Sequence, residues 1–207
     1  MTNQTQYGFY VDTSKCTGCK ACHVSCKDQR DLPVGINWRR VYEYTGGTWT
    51  VDPNTQVYQQ DVFAYYASIG CNHCSNPVCV KACPVGAMYK RREDGIVRVA
   101  EELCIGCESC ARACPYDAPQ IDKERQIMTK CDGCYERLAE GKKPICVESC
   151  PLRALDFDTM ENLEAKYGKG DANISALPSA SITAPNLIIK ANKHAHRQGE
   201  IVNNAEV

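Results

Sequence analysis

The sequence predicts an α+β fold in which two small units are interleaved along one chain, and three observations carry that expectation. Sixteen cysteines fall into four groups of four, with none left over. Short strand-like runs lie between and around the groups, among them Tyr7-Gly-Phe-Tyr-Val11 and a pair joined at Glu93-Asp94-Gly95. The 207 residues include only 3 Phe and 2 Trp, so the apolar core is thin for this length and something besides side-chain packing must help hold the chain.

Composition excludes several classes. With 24 Lys and Arg against 25 Asp and Glu the formal charge is −1, which argues against a basic nucleic-acid binder. The longest apolar stretch, Val62-Phe-Ala-Tyr-Tyr-Ala-Ser-Ile69, falls far short of the roughly 20 residues that cross a bilayer, so no transmembrane helix is expected. The opening Met1-Thr-Asn-Gln-Thr-Gln-Tyr-Gly has no basic n-region or apolar h-region. If the protein is exported, another chain is expected to carry the address.

The cysteine groups are Cys16/19/22/26, Cys71/74/79/83, Cys104/107/110/114 and Cys131/134/146/150. Pro84, Pro115 and Pro151 follow the last cysteine of the second, third and fourth, whereas Lys27 follows the first. The first and third groups have the C-x2-C-x2-C-x3-C spacing of bacterial ferredoxins, in which three close thiolates bind one [4Fe-4S] cluster and the fourth ligates the other cluster of a pair. A short loop can wrap three corners of a cube but cannot also reach the fourth without closing on itself. A disulfide scaffold gives no reason for triplets followed by a cysteine at x3, and zinc sites are usually built from two separated hooks. Four [4Fe-4S] clusters are therefore expected.

The linkers suggest which groups pair. The segment from Pro84 to Ala100 reads as two strands joined by an Asp-Gly turn, which makes groups two and three one ferredoxin-like unit. Groups one and four are left to pair with each other. With the crossover rule the expected sites are Cys16, Cys19, Cys22 and Cys150; Cys26, Cys131, Cys134 and Cys146; Cys71, Cys74, Cys79 and Cys114; and Cys83, Cys104, Cys107 and Cys110. The expected organisation is a first unit of residues 1–34 with 125–157, a linker of residues 35–70, a second unit of residues 71–124, and a short helix and extended tail over residues 158–207. In the linker, Trp38–Tyr44 and Thr48–Val51 read as a hairpin turning at Gly46-Gly47. Asp158-Thr-Met-Glu161 resembles a capping box for a helix ending at Gly168 or Gly170. Beyond it the pattern dissolves, as a solvated end or as an arm lying over a partner.

Each cluster core carries roughly 2+ against four thiolates, so four clusters add about −8 to the charge. Lys15, Lys20, Lys27, Lys81, Arg112, Lys130, Lys142 and Lys143 lie beside the cysteine loops as candidate counter-charges. His23 and His73 sit within cysteine loops and read as structural residues, while His194 and His196 read as surface groups of the tail. With every ligand position filled and no G-x-G-x-x-G or G-x4-G-K-[ST] motif, the chain reads as an electron conduit without catalytic residues of its own.

The pattern closely resembles the iron-sulfur subunits of the molybdopterin oxidoreductase complexes, and within them the B subunits of anaerobic dimethyl sulfoxide reductases. The resemblance runs through Lys15-Cys-Thr-Gly-Cys-Lys-Ala-Cys22, Arg39-Arg-Val-Tyr-Glu-Tyr-Thr-Gly-Gly47, Cys104-Ile-Gly-Cys107, Met128-Thr-Lys-Cys-Asp-Gly-Cys-Tyr135, Glu140–Leu155 and Pro185–Lys190. It implies a subunit between a catalytic partner carrying a bis-molybdopterin guanine dinucleotide cofactor and a membrane anchor that oxidises menaquinol. Electrons would serve reduction of a sulfoxide or N-oxide, with the Cys83, Cys104, Cys107 and Cys110 site at the anchor end and the Cys16, Cys19, Cys22 and Cys150 site at the molybdenum end. It further implies a peripheral position on the periplasmic face of the cytoplasmic membrane, after export on the twin-arginine signal of the catalytic chain. Nitrate reductase relatives have Trp where this chain has Cys107, and formate dehydrogenase relatives carry a C-terminal membrane helix. Equivalent subunits of thiosulfate, polysulfide or tetrathionate reductases, a free-standing polyferredoxin and a zinc-dependent interaction module are the alternatives.

Overall fold

The computed structural model describes residues 5–207. Residues 1–4 lie outside the described residues, and with them the opening considered for a leader and the start of the 1–34 segment. β1 (Tyr7–Asp12) is buried from Gly8 onward and runs into the first cysteine loop. α1 (Ala21–Gln29) follows, entered through Lys20 in the left-handed region at φ 58°. An x3 spacing sets Cys22 and Cys26 one turn apart on its buried face.

β2 (Arg40–Gly46), β3 (Trp49–Val51), β4 (Tyr58–Gln60) and β5 (Phe63–Ile69) form one long ribbon. β2 pairs antiparallel with β5 from Arg40↔Ile69 to Gly46↔Phe63, and β3 pairs with β4 from Trp49↔Gln60 to Val51↔Tyr58. This corrects the hairpin expected to turn at Gly46-Gly47. Both expected strands run outward on the same arm, and the chain reverses at residues 52–57, where the Asp52 side chain accepts hydrogen bonds from the Asn54 and Thr55 amides at 2.8 and 3.1 Å. Gly47, at φ 90°, marks a break in the ribbon rather than a turn, because the Asp61 and Val62 backbone crowds the space a Cβ would occupy.

α2 (Val78–Lys81), β6 (Met88–Lys90), β7 (Val97–Val99) and α3 (Ser109–Ala113) come next. β6 and β7 pair antiparallel across the Asp94-Gly95 turn, with Gly95 at φ 70°, and α2 packs on α3. A hairpin with no sequence forewarning follows, β8 (Gln120–Asp122) with β9 (Ile127–Thr129). Then come α4 (Tyr135–Ala139) and α5 (Ile145–Glu148), and α5 packs on α1. After β10 (Leu155–Thr159), α6 (Met160–Tyr167) is capped one residue later than the sequence suggests. Thr159 Oγ1 accepts from the Asn162 amide at 3.2 Å, while Asp158 stays in the strand. The helix ends at Gly168.

The tail beyond Gly168 neither dissolves nor lies apart. β11 (Leu187–Lys190) adds to β1 in parallel, giving a sheet ordered β10-β1-β11, and β12 (Glu200–Ile201) adds to the outer edge of β2. Asn203 fixes the second junction, accepting from the Glu43 amide and donating to the Val41 carbonyl, both at 2.9 Å. Leu187 and Ile189 thereby join Phe9, Val11, Tyr65 and Phe157 in the main core. Among the described residues no helix is long and apolar enough to cross a membrane.

Asp156 ties β10 to α6. Burial raises its carboxyl, but hydrogen bonds from Lys143, Lys166, Tyr167 and the Phe157 amide overcome burial and hold it well below the usual carboxylate range. A depressed carboxyl contributes stability above its unfolded value of about 3.9, and that contribution is lost as the pH falls below it. The lysines reach it from solvent, which screens part of the gain. Asp156→Asn is therefore expected to cost about 1–2 kcal/mol, a Tm lowered on the order of 2–8 °C at pH 7, with the difference from the parent shrinking below pH 4. An equal difference at both pH values in thermal melts would remove the charge from this account.

Candidate iron-sulfur sites

All sixteen cysteines are free thiols. Cys16, Cys19, Cys22 and Cys150 line one small cavity together with Val41, Ser68 and Leu155. Cys83, Cys104, Cys107 and Cys110 line another, walled by Met88, Val99 and Met128. Cys26 has Cys146 and Cys134 as neighbours, and Cys131 has Cys26 and Cys134. Cys79 has Cys71, Cys114 and Cys74 around it. Cys131 and Cys71 are also close enough to influence each other, so the second and third quartets adjoin. Among the described residues no three His, Cys, Asp or Glu side chains converge on a position suited to a single metal ion.

The surroundings of these quartets suit the sulfur atoms of a cluster. Backbone amides of Met88, Met128 and Ala154 donate to the sulfurs of Cys83, Cys104 and Cys150 at 3.5, 3.3 and 3.3 Å. Ser68 Oγ lies 3.2 Å from Cys22 Sγ, and Ser109 Oγ 3.4 Å from Cys107 Sγ. Buried Asn72 Nδ2 has no hydrogen-bond partner within the protein, and Tyr116 OH and Thr183 Oγ1 have only loose contacts with each other and with Cys74. Thr183 and Tyr116 face Cys74, and Asn72 follows Cys71, so these three under-satisfied donors flank the third quartet. Buried polar atoms are normally satisfied, and a cluster's sulfides are acceptors of the kind these donors lack.

Burial pushes several buried thiols up, Cys16 to about 11, Cys26 to about 12 and Cys131 well above its ordinary value, with neighbouring cysteines adding to the shift. Thiolates form here only against strong positive charge, which the metal supplies and the protein supplements. Arg39, 2% exposed, donates to the Ser68 carbonyl at 3.1 Å and to Cys146 Sγ at 3.6 Å, with its guanidinium 4.2 Å from the centre of the Phe9 ring. Burial lowers its pKa, but Cys146, Cys131, Cys22 and Cys26 raise it further, and the net shift is upward. Lys130, 3% exposed, donates to the Val97 and Cys131 carbonyls. Lys90 donates to the carbonyls of His73, Cys74 and Gly95 at 3.0, 3.0 and 2.7 Å.

Of the eight cations singled out from sequence, only Lys130 is buried. Lys20 pairs with Glu206, Lys27 donates to the Pro33 and Ile36 carbonyls, Lys81 to Asn76, Arg112 to the Cys107 carbonyl, Lys142 to Glu140 and Lys143 to Asp156. Arg39 and Lys90 carry no sequence signal because they lie far along the chain from the sulfurs they face. Thr183 and Asn186 carry none because they belong to the tail. His23 is half-buried with Nε2 3.0 Å from Asn37 Oδ1, and burial pushes its pKa down. His196 is exposed, while His194 stacks on Phe63 with ring centres 5.2 Å apart. His73 is wholly buried, and burial together with Lys130, Lys90 and Arg39 keeps it neutral by pushing it far below its usual value.

Helices of four to nine residues are too short to persist alone, and α1 meets α5, and α2 meets α3, along their cysteine-bearing sides. Removing iron with a chelator under reducing conditions is expected to abolish most of the helical circular dichroism and open residues 16–30 and 131–150 to protease. A metal-free protein with native dichroism and protease resistance would show that packing alone suffices.

A 4Fe-4S dicluster domain family matches residues 62–160, and a 4Fe-4S binding domain family matches residues 13–35. The chain is 55% identical to the B subunit of anaerobic dimethyl sulfoxide reductase from Haemophilus influenzae, over 94% of each sequence. It is 56% identical to the protein of the same name from Escherichia coli, over 95% of this chain and 94% of the other. A thiosulfate reductase electron transfer subunit of Salmonella typhi is more distant, 33% identical over 97% of this chain and 98% of the other. Full-length similarity at this level, in a sequence whose sixteen cysteines gather in 4Fe-4S domains, means that the protein belongs to the family of anaerobic dimethyl sulfoxide reductase B subunits, iron-sulfur subunits that transfer electrons without catalysing the reaction themselves.

Proposed function

We propose that this chain relays electrons from a menaquinol-oxidising membrane anchor subunit to a molybdopterin catalytic subunit that reduces dimethyl sulfoxide or related S- and N-oxides in anaerobic respiration. The observation that carries this is sixteen cysteines in four quartets, in a sequence 55–56% identical to dimethyl sulfoxide reductase B subunits. When bound, [4Fe-4S] clusters supply one-electron storage at closed sites. The chain's residues hold the sulfurs, exclude water and offset negative charge.

The proposed ligand sets are Cys16, Cys19, Cys22 and Cys150; Cys26, Cys131, Cys134 and Cys146; Cys71, Cys74, Cys79 and Cys114; and Cys83, Cys104, Cys107 and Cys110. Two shared cavities and the packing of α1 on α5 and α2 on α3 support these sets, because each helix carries or adjoins two cysteines one turn apart. The proposed division is a first two-cluster unit of residues 1–34 with 125–157 and a second of residues 71–124, with the ribbon inserted between them. The set ending in Cys110 faces the anchor and the set ending in Cys150 faces the molybdenum subunit. Exposed Val85, Leu103 and Ile105 beside the former, and exposed Leu152 beside the latter, support docking at both ends. The complex is proposed to lie on the periplasmic face of the membrane, with this chain attached through the anchor.

Anaerobic purification from native membranes is expected to give about 16 iron atoms per chain, molybdenum in the same fraction, and dimethyl sulfoxide reduction with a reduced dye. Thiosulfate reduction in place of sulfoxide reduction would overturn the substrate class, and iron without molybdenum would overturn the subunit assignment. The ligand sets have their own test in the paramagnetic resonance of reduced complexes. Cys114→Ser is expected to remove the same signal as Cys71→Ser, and Cys150→Ser the same signal as Cys16→Ser. If Cys114→Ser instead matched Cys110→Ser, the crossed assignment would be wrong.

A further inference from the structure

Each quartet contains a C-x2-C pair, and in three of the four the residue before the second cysteine is glycine in the left-handed region: Gly18 at φ 72°, Gly106 at φ 65° and Gly133 at φ 70°. In the remaining pair that position is His73, at φ 44°. A side chain with a β-carbon persists in that conformation only where its surroundings fix it, and here they do. The His73 carbonyl accepts from Asn186 Nδ2 at 2.7 Å and from Lys90 Nζ at 3.0 Å. Its ring is fully buried, with the Phe9 ring stacked at 6.5 Å.

Both ring nitrogens face cysteine sulfur, and they are not equivalent. Nδ1 lies 3.9 Å from Cys71 Sγ and Nε2 lies 4.0 Å from Cys131 Sγ. The Val97 amide donates to Nδ1 at 3.1 Å, which occupies that nitrogen's lone pair and leaves the ring proton on Nε2. Donation to sulfur is therefore one-sided. The contact with Cys71 carries no proton, whereas the contact with Cys131 does.

We propose that His73 is a positioning and tuning residue at the junction of the second and third quartets, which donates its Nε2–H to the Cys131 sulfur and so raises the reduction potential of the cluster held by Cys26, Cys131, Cys134 and Cys146. The proposal rests on the ligand sets given above. A hydrogen bond to thiolate sulfur favours the more negative, reduced state. Reduction there adds one electron, supplied by the electron-transfer function already described, and no proton moves to or from the ring. The seam between the two quartets thus holds a fixed dipole whose direction is set by a backbone amide of β7.

Two measurements on the anaerobically purified complex decide this. In complex carrying 15N-histidine, pulsed paramagnetic resonance of the reduced second-quartet cluster is expected to detect one weakly coupled nitrogen, too weak for an iron ligand. No coupling, or coupling of ligand strength, would overturn the proposal. His73→Gly matches the three sibling loops and relieves the backbone, and His73→Asn tolerates the same conformation with a shorter side chain. Both are expected to retain about 16 irons and to lower the potential of that one cluster by about tenfold in its reduction equilibrium, about 59 mV for one electron, while the other three stay in place. Unchanged potentials at full iron, or an equal shift in all four, would refute a tuning role. Iron well short of 16 in the parent would instead undo the four-cluster assignment, and the labelled parent answers even if both variants fail to fold.

Discussion

Arg39 and Lys130 lie almost wholly out of solvent, and among the described residues neither is paired with a carboxylate. A buried charge without a partner is among the most costly features a protein can carry, and these two are tolerated because sulfur takes the carboxylate's place. Arg39 reaches Cys146 directly and lies within range of Cys22, Cys26 and Cys131, so one guanidinium serves two quartets. Its plane is fixed from one side by Phe9 and from another by the Ser68 carbonyl. Lys130 is held as firmly, since its ammonium donates to two main-chain carbonyls, those of Val97 and Cys131.

Much else follows from where these cations must be. β1 supplies Phe9, β2 begins at Arg40 immediately after Arg39, and β5 supplies Ser68, so Arg39 is held between residues of both three-stranded sheets. Arg39, Phe9 and His73 form a stack from the side of the first and second quartets to that of the third. The apolar core is small because its centre is given over to thiols and the charges that face them. Part of the stability that a larger core would supply comes from pairings between segments distant in sequence, such as β1 with β11.

The local parts of this fold were legible in the sequence, and the distant pairings were not. The Asp94-Gly95 turn between β6 and β7 carries its own signal, and so does the x3 spacing that sets Cys22 over Cys26 on α1. The ribbon misled because Gly46-Gly47 has the composition of a turn but is used where Asp61 and Val62 pass close by, while the reversal is made by an Asp-Pro-Asn segment. β11 pairs with β1 across nearly the whole chain, and a strand with only three apolar residues gives no hint of its partner. At the sites, the cysteines announced themselves. Arg39, Lys90, Thr183 and the proton on His73 Nε2 are properties of three-dimensional neighbours, and no spacing rule contains them.

The closing of β11 onto β1 and of Glu206 onto Lys20 also sets an order of events during biosynthesis. The loop of Cys16 to Cys26 is synthesised well before β11 and Glu206, which close onto the segment around it. At ordinary elongation rates the gap is on the order of 10–40 s. Through that interval the N-terminal thiols lack those contacts, whereas Cys79 has Cys71, Cys74 and Cys114 as neighbours within a short stretch of chain. Maturation is therefore expected to run from the middle of the chain outward, with the terminal segments sealing the earliest-made sulfur at the end.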